Sequence, residues 1–211
     1  MAARIALALN AGKRVLWLVC GGSNIPVAVE TMDAVRSRVG KEELSRLTVA
    51  LTDERYGPVG HKDSNWEQLT ERGFDFTGIA TAPVLVGRSL DTTVSEYAMR
   101  MKELMEAAIA SGGLIIGLFG IGVDGHIAGA LPGSPALDDP RYVSGYSAQD
   151  FVRITLTPVA LKKVGVAYAF AFGASKKIAL GSLISKDLPI VEQPSQILKS
   201  ISEAFLCSDQ V

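Results

Sequence analysis

Leu114 to Phe119 is an almost unbroken apolar run, LIIGLF, of the length and bulk expected for a parallel strand buried on both faces. The chain then breaks into four glycines, Gly120, Gly122, Gly125 and Gly129, with Asp124 and His126 the only ionisable groups among them. Such a junction places two proton-handling side chains at the C-terminal edge of a strand, where open α/β sheets bind their ligands. Pro132 and Pro135 keep the turn from running on into a long helix. GIGVDG also spells the dinucleotide pattern G-x-G-x-x-G, which needs a helix opening at its third glycine and an acidic residue about 20 positions on. The prolines and the mid-chain position argue against that reading. A plain structural turn with a surface histidine uses the same residues. Against it stands the number of glycines around the His–Asp pair, since glycine lets backbone approach a ligand closely.

The strand-then-loop junction recurs along the chain. Arg14 to Cys20 reads as the first strand, followed by Gly21-Gly22-Ser23-Asn24 and a helix from Pro26 to about Val39. Free backbone N–H groups at such a helix start hold anions, although an ordinary turn looks the same. Cys20 reads as a small apolar strand-end residue rather than a nucleophile. Leu47 to Thr52 is a second strand and ends in Asp53-Glu54-Arg55-Tyr56. Ser64 and Glu67 fit a capping box for a helix to about Arg72. Ala82 to Val86 is a third, short strand. Thr93 and Glu96 suggest another capping box, with a helix to Ser111 whose Val94, Tyr97, Met101, Leu104, Met105 and Ala108 make a buried stripe. Phe151 to Thr157 alternates apolar and polar residues as a half-exposed strand does. Pro158 starts a short helix, and Val166 to Phe172 is another continuous strand. Gly173-Ala174-Ser175-Lys176-Lys177 then opens a helix to about Ile184, with lysines set against the helix dipole where a bound anion would suit them. Ala204 to Cys207 is a last strand. Strands alternating with helices predict one α/β domain over residues 1–211.

Composition narrows the class. With 48% hydrophobic residues and 21 basic against 22 acidic, the chain is neither disordered nor built to bind nucleic acid through bulk positive charge. No apolar stretch reaches the roughly 20 residues of a membrane span. The N-terminus reads as an amphipathic helix rather than a signal peptide. Cys20 and Cys207 lack metal-ligand spacing and suit a reducing cytoplasm.

Five blocks, VCGGSN, TDERYGP with HKDSNW, GIGVDGHIAGALPGSPAL, RITLTPVAL and FGASKKIAL, stand in the order found in 6-phosphogluconolactonases, a family related to the glucosamine-6-phosphate deaminases. The resemblance runs from about Val15 to Leu198. It implies a three-layer α/β/α Rossmann-like fold with a mostly parallel central sheet, and hydrolysis of 6-phospho-D-glucono-1,5-lactone to 6-phosphogluconate. By the same resemblance His126 looks like the general base that activates water, with Asp124 beside it. Gly21, Gly22, Ser23, Arg55, Arg153 and Lys176 resemble the groups that hold the sugar phosphate, and Asp53 and Asn65 belong to the pocket wall. The chemistry calls for no metal, cofactor or covalent nucleophile: a strained lactone needs a placed water, a base and an anchor for its phosphate. A small-molecule partner is implied, with neither nucleic acid nor membrane, in a monomer or small homo-oligomer.

The match is not uniform. The Gly-Gly-Ser loop carries one residue more than the usual pattern before Pro26, and Ile127 stands where lactonases commonly have threonine. GIGVDGHIA resembles the deaminase version. In deaminases, however, the following segment carries a glutamate where this chain has Leu131. An isomerase or deaminase on the same scaffold, and a sugar-phosphate sensor without catalysis, are the alternatives. Sensors of this kind carry a DNA-binding segment ahead of the domain, and the short stretch before Arg14 leaves no room for one.

Overall fold

A computed structural model describes all of residues 1–211. The elements run α1 (Ala2–Asn10), β1 (Val15–Val19), α2 (Ile25–Arg36), α3 (Lys41–Leu44), β2 (Leu47–Leu51), β3 (Asp53–Arg55), α4 (Asn65–Glu71), β4 (Ala80–Ala82) and α5 (Leu90–Ala110). They continue with β5 (Leu114–Gly120), β6 (Val143–Ser147), β7 (Val152–Leu156), α6 (Pro158–Leu161), β8 (Val166–Phe170), α7 (Lys177–Ser185) and β9 (Glu203–Cys207). Six strands form a wholly parallel sheet in the order β4-β2-β1-β5-β8-β9. Every residue of β1 is buried, so helices cover both faces of the sheet there, as a parallel sheet requires. α5 packs along β1 and β5, while α1 and α2 pack on each other. One cluster of 51 buried hydrophobic residues forms the main core, with Trp17, Phe119, Met101 and Met105 fully enclosed. No helix is long and apolar enough to cross a membrane.

Strand order fixes where a ligand can sit. From β1 the chain steps outward to β2 and β4, then returns to place β5 on β1's other side and continues to β8 and β9. Between β1 and β5 the loops leave in opposite directions and open a crevice at the C-terminal ends of the strands.

A second sheet covers that edge. β3, β7 and β6 pair antiparallel, an addition the alternation of Phe151–Thr157 alone did not reveal. Thr52 joins the two sheets: its N–H donates to the Val19 carbonyl at 3.0 Å, and its own carbonyl accepts from Leu156 at 2.9 Å. β7 is buried rather than half-exposed, because its polar face turns inward to the crevice instead of to solvent: Arg153 is 9% and Thr155 1% exposed.

Other boundaries differ from expectation for local reasons. The third parallel strand is Ala80–Ala82, not Ala82–Val86, since Pro83 has no N–H to continue the ladder. α5 starts at Leu90, capped by Ser89, whose hydroxyl accepts from the Thr92 N–H. Leu90 packs against the core, which extends the helix past Thr93 and leaves Thr93–Glu96 inside it. The capping residue foreseen at Ser64 does cap α4, accepting from the Glu67 N–H at 3.2 Å.

Candidate active site

The crevice is an open cleft of about 690 Å³ at the C-terminal edge of the parallel sheet. Gly21, Gly22 and Ser23 line it after β1, Asp53 and Arg55 from β3, Asn65 from the start of α4, His126 after β5, Arg153 from β7 and Lys176 after β8. Nine of the ten residues singled out from the sequence therefore share one cavity. The tenth, Asp124, does not line it and lies behind His126. Its Oδ1 is 2.7 Å from the imidazole Nδ1 and also accepts from the His126 backbone N–H at 3.1 Å. Burial alone would raise the Asp124 pKa. The hydrogen bonds from the His126 ring and backbone, with the ring's charge, outweigh it and bring it from 3.8 down to about 2. An ionised carboxylate only accepts, so Nδ1 carries the proton of the shared bond, and in the neutral ring the free lone pair is on Nε2.

Gly122 makes this pair possible. A Cβ there would overlap both the His126 ring and the Asp124 carboxylate. Gly129 has φ +73, and a Cβ on it would lie 2.7 Å from that of Asp53, so the loop after β5 could not close onto β3. Between them Ala128 adopts φ 51, sparsely populated for a residue with a side chain, and its carbonyl accepts from the Thr155 hydroxyl. Strain thus sits in the segment that carries the imidazole.

Period-two geometry sorts the Asp-Glu-Arg triplet. Asp53 and Arg55 face the cleft, while Glu54 points the other way and is 1% exposed. Its carboxylate accepts from the Arg55 N–H (2.7 Å), the Asn65 N–H (2.6 Å), the Ser64 hydroxyl (2.9 Å) and the Trp66 N–H (3.1 Å). Burial raises its pKa above the ordinary carboxylate value, an effect that those four donors offset only in part. Glu54 fastens α4 to β3 and so holds Asn65 and Arg55 in place. The sequence gives no sign of this role, since nothing local shows that α4 folds back onto β3. Asn65 in turn donates to the Asp53 carbonyl at 2.9 Å.

Asn24 was missed in the same way. The departure in the Gly-Gly-Ser loop makes a 3-10 turn over Gly22–Asn24. The Asn24 amide is 2% exposed and donates to the carbonyls of Phe119 (3.0 Å) and Phe170 (3.2 Å), which ties the loop across the ends of β5 and β8. Cys20 is enclosed, with its thiol pushed up to about 12 by burial and by the Asp53 charge, so it stays protonated at the strand end. Leu131 is outside the cleft and packs against the small cluster of Ala130, Ala136, Leu137 and Tyr146. The only carboxylate lining the cleft is Asp53.

The family described as glucosamine-6-phosphate isomerases/6-phosphogluconolactonase matches residues 1–206. A 6-phosphogluconolactonase of Caulobacter vibrioides is 31% identical over 155 residues, or 69% of this chain and 65% of that protein. A glucosamine-6-phosphate deaminase of Beutenbergia cavernae is 33% identical over 121 residues, or 57% of this chain and 44% of that protein. The aligned part is thus under two thirds of either relative's length. The crystal structure of a 6-phosphogluconolactonase from Thermotoga maritima has the same fold, with a TM-score of 0.76 over 98% of this chain and 92% of that one at 18% identity. With a parallel sheet whose strand order reverses between β1 and β5, and a family match spanning nearly its whole length, this chain is a member of the glucosamine-6-phosphate isomerase/6-phosphogluconolactonase family.

Proposed function

We propose that this protein hydrolyses 6-phospho-D-glucono-1,5-lactone to 6-phosphogluconate, with His126 as the general base. The observation that carries the reading is the joining, in one cleft, of an Asp124-backed imidazole with three cations, Arg55 on β3, Arg153 on β7 and Lys176 after β8. Nε2 takes a proton from water as the water oxygen bonds to the lactone carbonyl carbon. The bond from that carbon to the ring oxygen then breaks, and the proton passes to the leaving oxygen. The new carboxylic acid releases its own proton to solvent. Asp124 keeps Nδ1 protonated and stabilises the imidazolium formed in between. The cations anchor the phosphate, and binding energy remote from the reacting carbon aligns it for attack.

The deaminase reading draws on the similarity to the Beutenbergia deaminase and on GIGVDGHIA. Moving protons between adjacent sugar carbons needs more acid–base groups than lactone hydrolysis does. Leu131 supplies none and is turned away from the cleft. Two assays decide between the readings: hydrolysis of fresh 6-phosphogluconolactone, corrected for its spontaneous rate, and ammonia release from glucosamine 6-phosphate. Lactone turnover without detectable ammonia is expected. Robust ammonia release with negligible lactone turnover reverses the assignment.

A further inference from the structure

Arg55 and Arg153 stand directly opposite each other in the antiparallel register of β3 and β7. Side chains paired in this way leave the sheet about 5 Å apart on one face, and like charges there repel. Three kinds of contact offset the repulsion. An Arg55 Nη1 donates to the Asp63 carbonyl at 3.0 Å, and an Arg153 Nη2 donates to the Asp150 carboxylate at 2.7 Å. Both guanidinium carbons also lie over the ring of Phe151, 5.1 and 5.9 Å from its centre. That is within the roughly 6 Å over which the negative face of an aromatic ring attracts a cation. Only Arg153 is paired with a carboxylate, while Arg55 has a backbone carbonyl, and each arginine keeps a buried Nε with no hydrogen-bond partner.

Phe151 is not itself part of the cleft lining. Its seat comes from the hairpin between β6 and β7. Its carbonyl accepts from the Ala148 N–H at 2.8 Å, and its own N–H donates to the Asp150 carboxylate at 2.9 Å. The backbone that carries the ring is thus fixed by the hairpin, and the Asp150 carboxylate that accepts from it also accepts from Arg153. We infer that Phe151 is a positioning residue: its ring holds Arg55 and Arg153 together as one paired anion site and thereby sets the preference for phosphorylated over unphosphorylated substrate. The inference rests on the proposed function for its substrate, and on register and ring contacts for the pair. Without the ring, two opposed cations splay apart, and a phosphate that needs forked donors from both loses one set. Lys176 does not replace it, because an ammonium is a point charge on a flexible stem rather than a planar fork.

The test compares wild type with Phe151→Leu and Phe151→Met, which keep apolar bulk without the aromatic face, and with Phe151→Tyr, which keeps the face. Calorimetry with inorganic phosphate and with 6-phosphogluconate measures the site directly, and melting curves check folding. Both non-aromatic variants are expected to weaken both probes on the order of five- to ten-fold. For the phosphorylated lactone KM should rise far more than kcat falls, the preference over unphosphorylated gluconolactone should narrow by a similar factor, and Phe151→Tyr should recover both. Equal losses on the two lactones, or no recovery in Phe151→Tyr, overturn the inference. If the wild type binds phosphate but does not hydrolyse the lactone, the proposed activity fails and the phosphate titrations still decide the role of Phe151. If the wild type binds neither probe, both fall.

Discussion

At the residue scale, the proposed chemistry turns on a single imidazole whose orientation is set from behind. His126→Ala and His126→Gln should lower lactone turnover by the general-base factor, ~10²–10⁴-fold, while melting temperatures stay near wild type because the side chain is half-exposed. Wild-type-like turnover in a folded His126→Ala protein would remove the mechanism. Asp124 gives a pH signature with a definite sign. Its folded pKa of about 2 lies below its ordinary 3.8, so its contribution to stability is complete above 3.8 and is lost as pH falls toward about 2. Asp124→Asn should therefore lower the melting temperature at pH 5 and above, and the difference should close on acidification through that window. The effect should be small and should shrink in high salt, since the carboxylate is 42% exposed. A difference that instead grows on acidification would contradict the ionised Asp124 on which the assignment of the histidine tautomer depends.

At the scale of elements, the cleft is an assembly of strand ends, and its precision comes from the few groups that tie those ends together. Glu54 is the clearest case, a buried carboxylate on β3 that accepts the first N–H groups of α4. Glu54→Gln keeps the shape but turns an NH₂ group toward N–H donors. A loss of about 1–3 kcal/mol follows from leaving buried donors unpaired, or roughly 2–4 °C in melting temperature per kcal/mol for a chain of this size. Because Asn65 and Arg55 hang from the same contact, KM for the phosphorylated lactone should rise as well. Unchanged stability and KM would mean that α4 is held elsewhere. This link was not legible in the sequence. Ser64 announces a helix start through a local hydrogen bond, whereas Glu54 acts on a helix 11 residues later in the chain. For the same reason β3 and β6 escaped notice. A three-residue strand of charged side chains carries no apolar pattern, and only its pairing with β7 makes it one.

Across the whole molecule, a ligand held in the cleft would be coupled to the fold, because the cleft draws its walls from both sides of the topological switch and from both sheets. A ligand at a hundred times its Kd adds about 2.7 kcal/mol to stability. 6-Phosphogluconate at such a concentration should therefore raise the melting temperature by roughly 5–10 °C. Gluconate should do much less, and Arg55→Ala or Lys176→Ala should remove most of the difference, each donor being worth about 1.5–3 kcal/mol toward a charged partner. Equal stabilisation by the two acids, retained in both variants, would place the phosphate elsewhere. Apolar runs of strand length, glycine-rich ends and helical periodicity are local properties, so the sequence by itself determined the α/β class and the strand-end loops, while the resemblance of its five ordered blocks to a known family implied the parallel sheet and pointed to the candidate residues. Tertiary structure alone decided what turns those loops into a site. The order of the strands puts β1 beside β5, the second sheet folds Arg153 inward opposite Arg55, and Glu54 and Asn24 secure the loops from behind. Those contacts join residues far apart in the chain, and their stability depends on burial and hydrogen-bond partners that no short stretch of sequence contains.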